Sequence, residues 1–284
     1  MPPRNAPTAR QIRLGAELRK LRERAGLTAA EAAARLGTER PKISNIETGR
    51  FGVSADRVRA LARAYHCADE ALIDALVGMT GERRRHHWWE EYRGVVPNGF
   101  LDLAEFEHNA VKLRTVQTAT LPGLLQTVDH ARALFQQTAP PLPPHEVEHR
   151  ISHRIKRQVV LFREDPTEYT AIIHEAALRM QFGGRAVTRA QLDHILAMGE
   201  RDHVTIHALP FEAGAFPAPG QTIGYSIGPV PQLDTVQLDH IHGPVFLDAP
   251  AQLETYRSVL DRMEALALKP EESRDFIREI ARSL

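Results

Sequence analysis

The chain has 284 residues, of which 43% are hydrophobic, and 36 Lys or Arg balance 36 Asp or Glu. That length suits two domains with proper cores. It holds no run near the roughly 18 consecutive apolar residues of a membrane helix. The opening MPPRNAPTARQ lacks the apolar region of a secretory signal, and the single Cys67 excludes an intrachain disulfide or a cysteine-based zinc cage. Together these features predict a cytoplasmic protein. The zero total hides an asymmetry. Residues 1–66 hold 14 Lys or Arg and 6 Asp or Glu, a net +8, so residues 67–284 carry −8. A basic end on an acidic body suits an anionic polymer.

Taken in order, residues 1–11 predict a flexible N-terminal arm, with Arg4 and Arg10 able to touch phosphates. Leu14, Leu18 and Leu21 form one stripe of a helix from Ile12 to Ala25, stopped by Gly26. A second helix opens at Thr28 and ends at Gly37, where only glycine turns left-handed without steric cost. A third follows at once, with Thr38 as its expected N-cap and Pro41 in its first turn. Ile43 and Ile46 face inward, leaving Arg40, Lys42, Ser44 and Asn45 outside on a short basic and polar face. Two more helices, opening near Ser54 and at Asp69, complete an all-α domain over residues 12–80.

Residues 14–65 resemble the XRE-type helix-turn-helix family. The resemblance rests on LGAELRKLRERAGLT, Thr28, the Gly37 turn and IETGR at 46–50. It implies DNA binding, with bases read by the early exposed residues of the third helix, here Arg40, Lys42, Ser44 and Asn45. Pro41 departs from the pattern and removes a hydrogen-bonding side chain there. Thr28 opens a helix whose N–H groups suit a phosphate, and Lys42 and Arg50 add charge. The candidate DNA-binding residues are therefore Thr28, Thr38, Arg40, Lys42, Ser44, Asn45 and Arg50.

Residues 81–99, with RRRHHWWEEYR, predict a connecting segment whose Trp88, Trp89 and Tyr92 pack rather than stack on bases. From residue 100 to 284 a mixed α+β domain is expected. Helical periodicity runs through Leu103, Phe106, Ala110 and Leu113, and again from Leu124 to Phe135. Pro144 starts a helix carrying Val147, Ile151, Ile155, Val159 and Phe162 inward. Five strands follow, YTAIIHE (169–175), VTIHALP (204–210), QTIGYSIG (221–228), TVQLDHI (235–241) and PVFLD (244–248). A helix near 188–200 separates the first from the rest, and helices from Pro250 and Pro270 close the chain. Close strand spacing predicts a mostly antiparallel sheet.

This second part resembles the C-terminal domain of WhiJ-like, Scr1-type regulators, through PGLLQT (122–127), HEAALR (174–179), Gly183–Gly184, VTIHALPF (204–211) and the pattern around Ala267, Pro270 and Ser273. The resemblance implies a unit that binds something, often a small BldB-like protein, and some members are antitoxin-like.

Catalytic signatures are missing: there is no GxSxG, Walker loop or GxGxxG, and HEAAL is not HExxH. His174 and Glu175, as strand neighbours, would face opposite ways. Fourteen histidines, among them His86, His87, His203, His207, His240 and His242, read as scattered rather than metal-binding. The loop from Pro210 to Gly220 reads equally as a pocket lining or a surface crossing. The expected function is a sequence-specific repressor acting as a homodimer on double-stranded DNA, modulated by a small protein partner. An antitoxin-like sequestering protein and a small-molecule sensor are the alternatives, and no catalytic residue, cofactor or metal is expected.

Overall fold

The structure, a computed structural model, describes residues 7–80, 87–217, 220–240 and 243–284. Arg4, His86 and His242 lie outside these residues, as do residues 218 and 219 of the Pro210–Gly220 loop. The chain divides into two compact units. One takes the chain up to Trp88 together with Pro229–Leu233; the other takes Trp89–Gly228 and Asp234–Leu284.

The first unit contains α1 (Ala9–Arg24), α2 (Ala29–Arg35), α3 (Arg40–Glu47), α4 (Ala55–Ala64) and α5 (Glu70–Gly78). The first helix begins inside the expected arm. Thr8 and Gln11 form a reciprocal capping box at 3.2 Å, which satisfies two orphan N–H groups and fixes residues 8–11. Leu18, Ile43, Val58, Leu61, Leu72 and Leu76 make the core, each 2% exposed or less. Val230 and Leu233 join that core, although they come from far along the chain. Gln232 beside them accepts from Arg13 and donates to Asp69 at 3.2 Å.

The second unit is built on a six-stranded sheet of order β3-β2-β1-β4-β5-β6. Its strands are β1 (Lys112–Gln117), β2 (Glu168–His174), β3 (Val204–Leu209), β4 (Ile223–Ile227), β5 (Thr235–Leu238) and β6 (Val245–Leu247). Strands β1, β2 and β3 run parallel, and β4, β5 and β6 continue antiparallel from β1. The sheet is thus mixed, with a parallel half that strand spacing did not foretell. Alternation along β2 divides two cores. Tyr169, Ala171 and Ile173 face α10 (Arg185–Met198) and α12 (Pro270–Ser283), while Ile172 faces α11 (Pro250–Leu266).

Three expectations need correction. The helix through Leu103 and Phe106, α6 (Asn98–Asn109), stops before Leu113, which is buried in β1. Leu124 and Leu125 lie in a 3-10 turn, because Thr127 caps α7 (Val128–Gln136) only after them. Leu121 and the two leucines of PGLLQT, Leu124 and Leu125, are buried in the core. Finally, α8 (Pro144–Arg157) ends before Val159 and Phe162, and both of these are exposed.

Two buried histidines make this unit acid-sensitive. His130 on α7 has no hydrogen-bond partner for either ring nitrogen among the described residues and packs edge-on to Phe182. Burial, helped by the Arg154 charge, pulls its pKa down to about 4. His153 on α8 is pulled down to about 3 by burial and by Arg157 and Arg154. The unfolded chain takes up these protons near pH 6.5 and the folded chain does not, so stability is full above that pH and falls as pH drops toward 4. His130 alone should account for about 3 kcal/mol over that interval. Melting temperature against pH should therefore slope downward below 6.5, and His130→Leu should flatten the slope. An unchanged slope in that variant would contradict the assignment.

Candidate nucleic-acid interface

The residues that make the interface are placed by local rules. Thr28 caps α2 through a second capping box. Its hydroxyl accepts from Glu31 N–H at 3.2 Å, and its own N–H donates to the Glu31 carboxylate at 2.7 Å. The hydroxyl also donates to that carboxylate at 2.7 Å, and the two donations, from the Thr28 backbone first and its hydroxyl second, hold the Glu31 carboxyl below the usual range. Gly37 has φ +58. The Thr38 N–H then donates to Ala33 C=O at 2.9 Å, which closes the end of α2. That hydrogen bond corrects the sequence reading of Thr38. It finishes α2, and the N-cap of α3 is Glu39, whose side chain makes no capping bond.

In α3, Ile43 and Ile46 point into the core, and helical rotation of about 100° per residue puts Pro41 at the middle of the opposite face. Arg40, Ser44 and Asn45 surround it, with Lys42 at its rim. Arg40, Lys42, Ser44 and Arg50 are exposed, while Asn45 and Thr38 are half-buried. Arg40, Lys42 and Arg50 make no ion pair among the described residues, so their charge is available to an anion.

Two features fix α3 against α1, and neither was foreseen. Gly15 lets the backbones touch: a Cβ there would lie 2.5 Å from Glu47 O and 2.6 Å from Ile46 O. Gly49, at φ +71, makes a similar approach, with a Cβ position 2.9 Å from the Gln11 carbonyl. The second feature is a bidentate ion pair. Arg22 Nε and Nη2 donate to the two oxygens of Glu47 at 2.6 and 3.0 Å, and Nη1 donates to Leu27 C=O at 2.6 Å. Hydrogen bonding to Glu47 raises the Arg22 pKa against the opposing effect of burial.

Of Arg19, Lys20, Arg22 and Arg24 near the end of α1, the first three are engaged within the unit. Arg19 pairs with Glu23 and Lys20 with Glu17, each at 2.7 Å, and Arg22 is buried. A sequence signal existed: each of the first two pairs is spaced three or four residues apart, as helical neighbours are.

Elsewhere, Trp89 and Tyr92 are buried in a 3-10 turn, Trp88–Tyr92. His174 and Glu175 are not strand neighbours. His174 ends β2 and caps α9 (Glu175–Arg179), its Nδ1 accepting from Ala176 N–H at 3.2 Å. Glu175 accepts from Phe211 N–H at 2.9 Å and from Arg179 at 2.6 Å. Among the described residues no group of three or more His, Cys, Asp or Glu is placed to hold a metal. No described helix is long and apolar enough to cross a membrane.

A capped helix, a glycine turn and a second helix with unpaired cations on its outer face define a helix-turn-helix DNA-binding regulator. A family model described as a helix-turn-helix domain matches residues 13–76. A second model, described as a domain of unknown function (DUF5753), matches residues 100–279, and the chain belongs to that family. Comparison with the curated proteins and with the solved structures found no match.

Proposed function

We propose that the protein is a sequence-specific transcription repressor that acts by occupying its operator. One observation carries this reading: Arg40, Lys42 and Arg50 stand exposed, without ion pairs among the described residues, on or just after a helix whose other face is locked to α1. Arg40, Ser44 and Asn45 read base edges, Arg through guanine and Asn through adenine. Lys42 and Arg50 contact phosphates. Thr28 takes a phosphate at the N-terminus of α2 once Glu31 swings away, and Thr38 adds a backbone-side contact beside it. A single recognition helix reads only a few base pairs, so the reading includes a homodimer on two half-sites one helical turn apart. The second unit, of the WhiJ-like, Scr1-type kind its motifs resemble, binds a small BldB-like protein that shifts operator affinity. Such a shift requires the partner to favour one state over the other.

Salt titration tests the phosphate roles. Lys42→Ala or Arg50→Ala should weaken binding to all duplexes about equally and reduce the slope of log K against log salt by roughly one unit each. Weakening confined to one preferred sequence would contradict the assignment.

A further inference from the structure

The second unit contains an open-mouthed cavity of about 80 Å³ where β3, α10 and α12 meet. Ile195, Leu196, Val204, Ile206 and Ile277 give it aliphatic walls. Gly199 also lines it. Its φ of −71 is open to any residue, yet a Cβ there would press on Ile206 Cδ1 at 3.2 Å, so its lack of a side chain keeps room inside.

Three features mark the same place. The first is the open edge of β3. Tyr169 N–H donates to His203 C=O at 2.8 Å, so odd-numbered residues of β3 bond inward to β2 and even-numbered ones point outward. The outward groups of Ala208 are taken: its N–H donates to Ser273 Oγ and its C=O accepts from Leu268 N–H, both at 2.9 Å. Those of Ile206 have no partner among the described residues, although Ile206 is only 7% exposed. A strand-edge peptide group without a protein partner can bond to a ligand. The second feature is the way the cavity meets the strand. Val204 and Ile206 point to one face of β3 and Thr205 to the other, so a cavity lined by all three runs along the strand edge. The third is Arg274 on α12. It lines the cavity, and it makes no hydrogen bond or ion pair among the described residues. Two neighbouring acids on α12 are engaged elsewhere, Glu272 with Lys269 N–H and Asp275 with Arg278.

We propose that this cavity binds the C-terminal residue of a peptide chain that ends in an aliphatic amino acid. The side chain fills the aliphatic pocket, the carboxylate meets Arg274, and the peptide backbone pairs with the free N–H and C=O of Ile206. Strand pairing supplies affinity and the pocket supplies selectivity, as in other sheet-edge recognition. The guanidinium matches a carboxylate by geometry as well as by charge. The inference stands apart from the DNA-binding reading, and no DNA enters its test.

The test is calorimetric titration of the full chain with an acetylated tetrapeptide ending in leucine, the same peptide with its C-terminus amidated, and N-acetyl-leucine. The free-acid tetrapeptide should bind tightest. Amidation, or Arg274→Gln, should each weaken it by about tenfold or more, the range for a hydrogen bond to a charged group. Arg274→Lys should recover part of the loss, and thermal melting of each variant checks that it is folded. Tighter binding of N-acetyl-leucine than of the tetrapeptide would replace the peptide with a small acylamino acid and overturn the proposal. So would equal binding of acid and amide, an unaltered affinity in Arg274→Gln, or no heat at millimolar peptide.

Discussion

Replacing Glu47 with Ala should unfold the helix-turn-helix unit or leave it barely stable, and operator binding should disappear with it. Arg22 and Glu47 are both nearly buried, with side chains 9% and 7% exposed. The carboxylate takes two of the guanidinium's donors, and Leu27 C=O takes a third. Without Glu47, a desolvated cation keeps the Leu27 carbonyl and a long contact, 3.6 Å, with the half-exposed carboxylate of Glu23. Breaking such a pair costs about 3–5 kcal/mol, which approaches the entire stability of a small domain. The deficit comes from the stranded charge rather than from the value of the pair. Replacing both residues, Arg22→Met with Glu47→Leu, should therefore recover most of the lost stability. Chemical denaturation of the single and double variants decides the matter. A Glu47→Ala protein as stable as the wild type would show that the pair is solvent-screened.

The second large effect is expected at Gly15. A single methyl group there would meet the carbonyl oxygens of Ile46 and Glu47 at 2.6 and 2.5 Å, and these are backbone atoms that no rotamer change can move. Either α1 and α3 separate or the helix end bends. Overpacking of this kind costs about 1–3 kcal/mol, occasionally more. It also moves α3, so Gly15→Ala should weaken DNA more than its loss of stability alone explains. Gly78→Ala is the control. Gly78 ends α5 with open space around its Cβ position, so the change there should be neutral or slightly stabilising. Equal behaviour of the two variants in denaturation and DNA binding would show that Gly15 does not set the spacing of α1 and α3.

The helical unit was legible because its signals are local. Thr28, Gly37, Ser54 and Asp69 act within a few residues of themselves, and each stands at a helix boundary in the structure. The place of Arg22 was not legible. A basic residue in a basic run reads as surface, and only its pairing with Glu47, 25 residues on, shows that it is buried. The same limit hid β1. KLRTVQ is short and half polar, and it becomes a central strand only because β2 and β4 bring partners from 56 and more than 100 residues away. Losing β1 also hid the parallel half of the sheet. Thr38 illustrates a finer limit. A threonine after a glycine turn fits both the end of one helix and the cap of the next, and composition does not separate the two roles. Nor does any periodicity announce that Pro229–Leu233 belongs with the helical unit. Val230 and Leu233 read as loop residues until the Arg13 and Asp69 contacts of Gln232 are seen.

The outer face of α3 is proposed to read DNA sequence. That role is tested by fluorescence anisotropy with a duplex enriched from a random library by the wild-type protein, alongside a scrambled duplex. Arg40→Ala and Asn45→Ala should each weaken the enriched duplex by about 1–3 kcal/mol and relax preference at one base position per half-site, with little change on the scrambled duplex. If both variants keep wild-type affinity and wild-type preference, α3 is not the recognition helix.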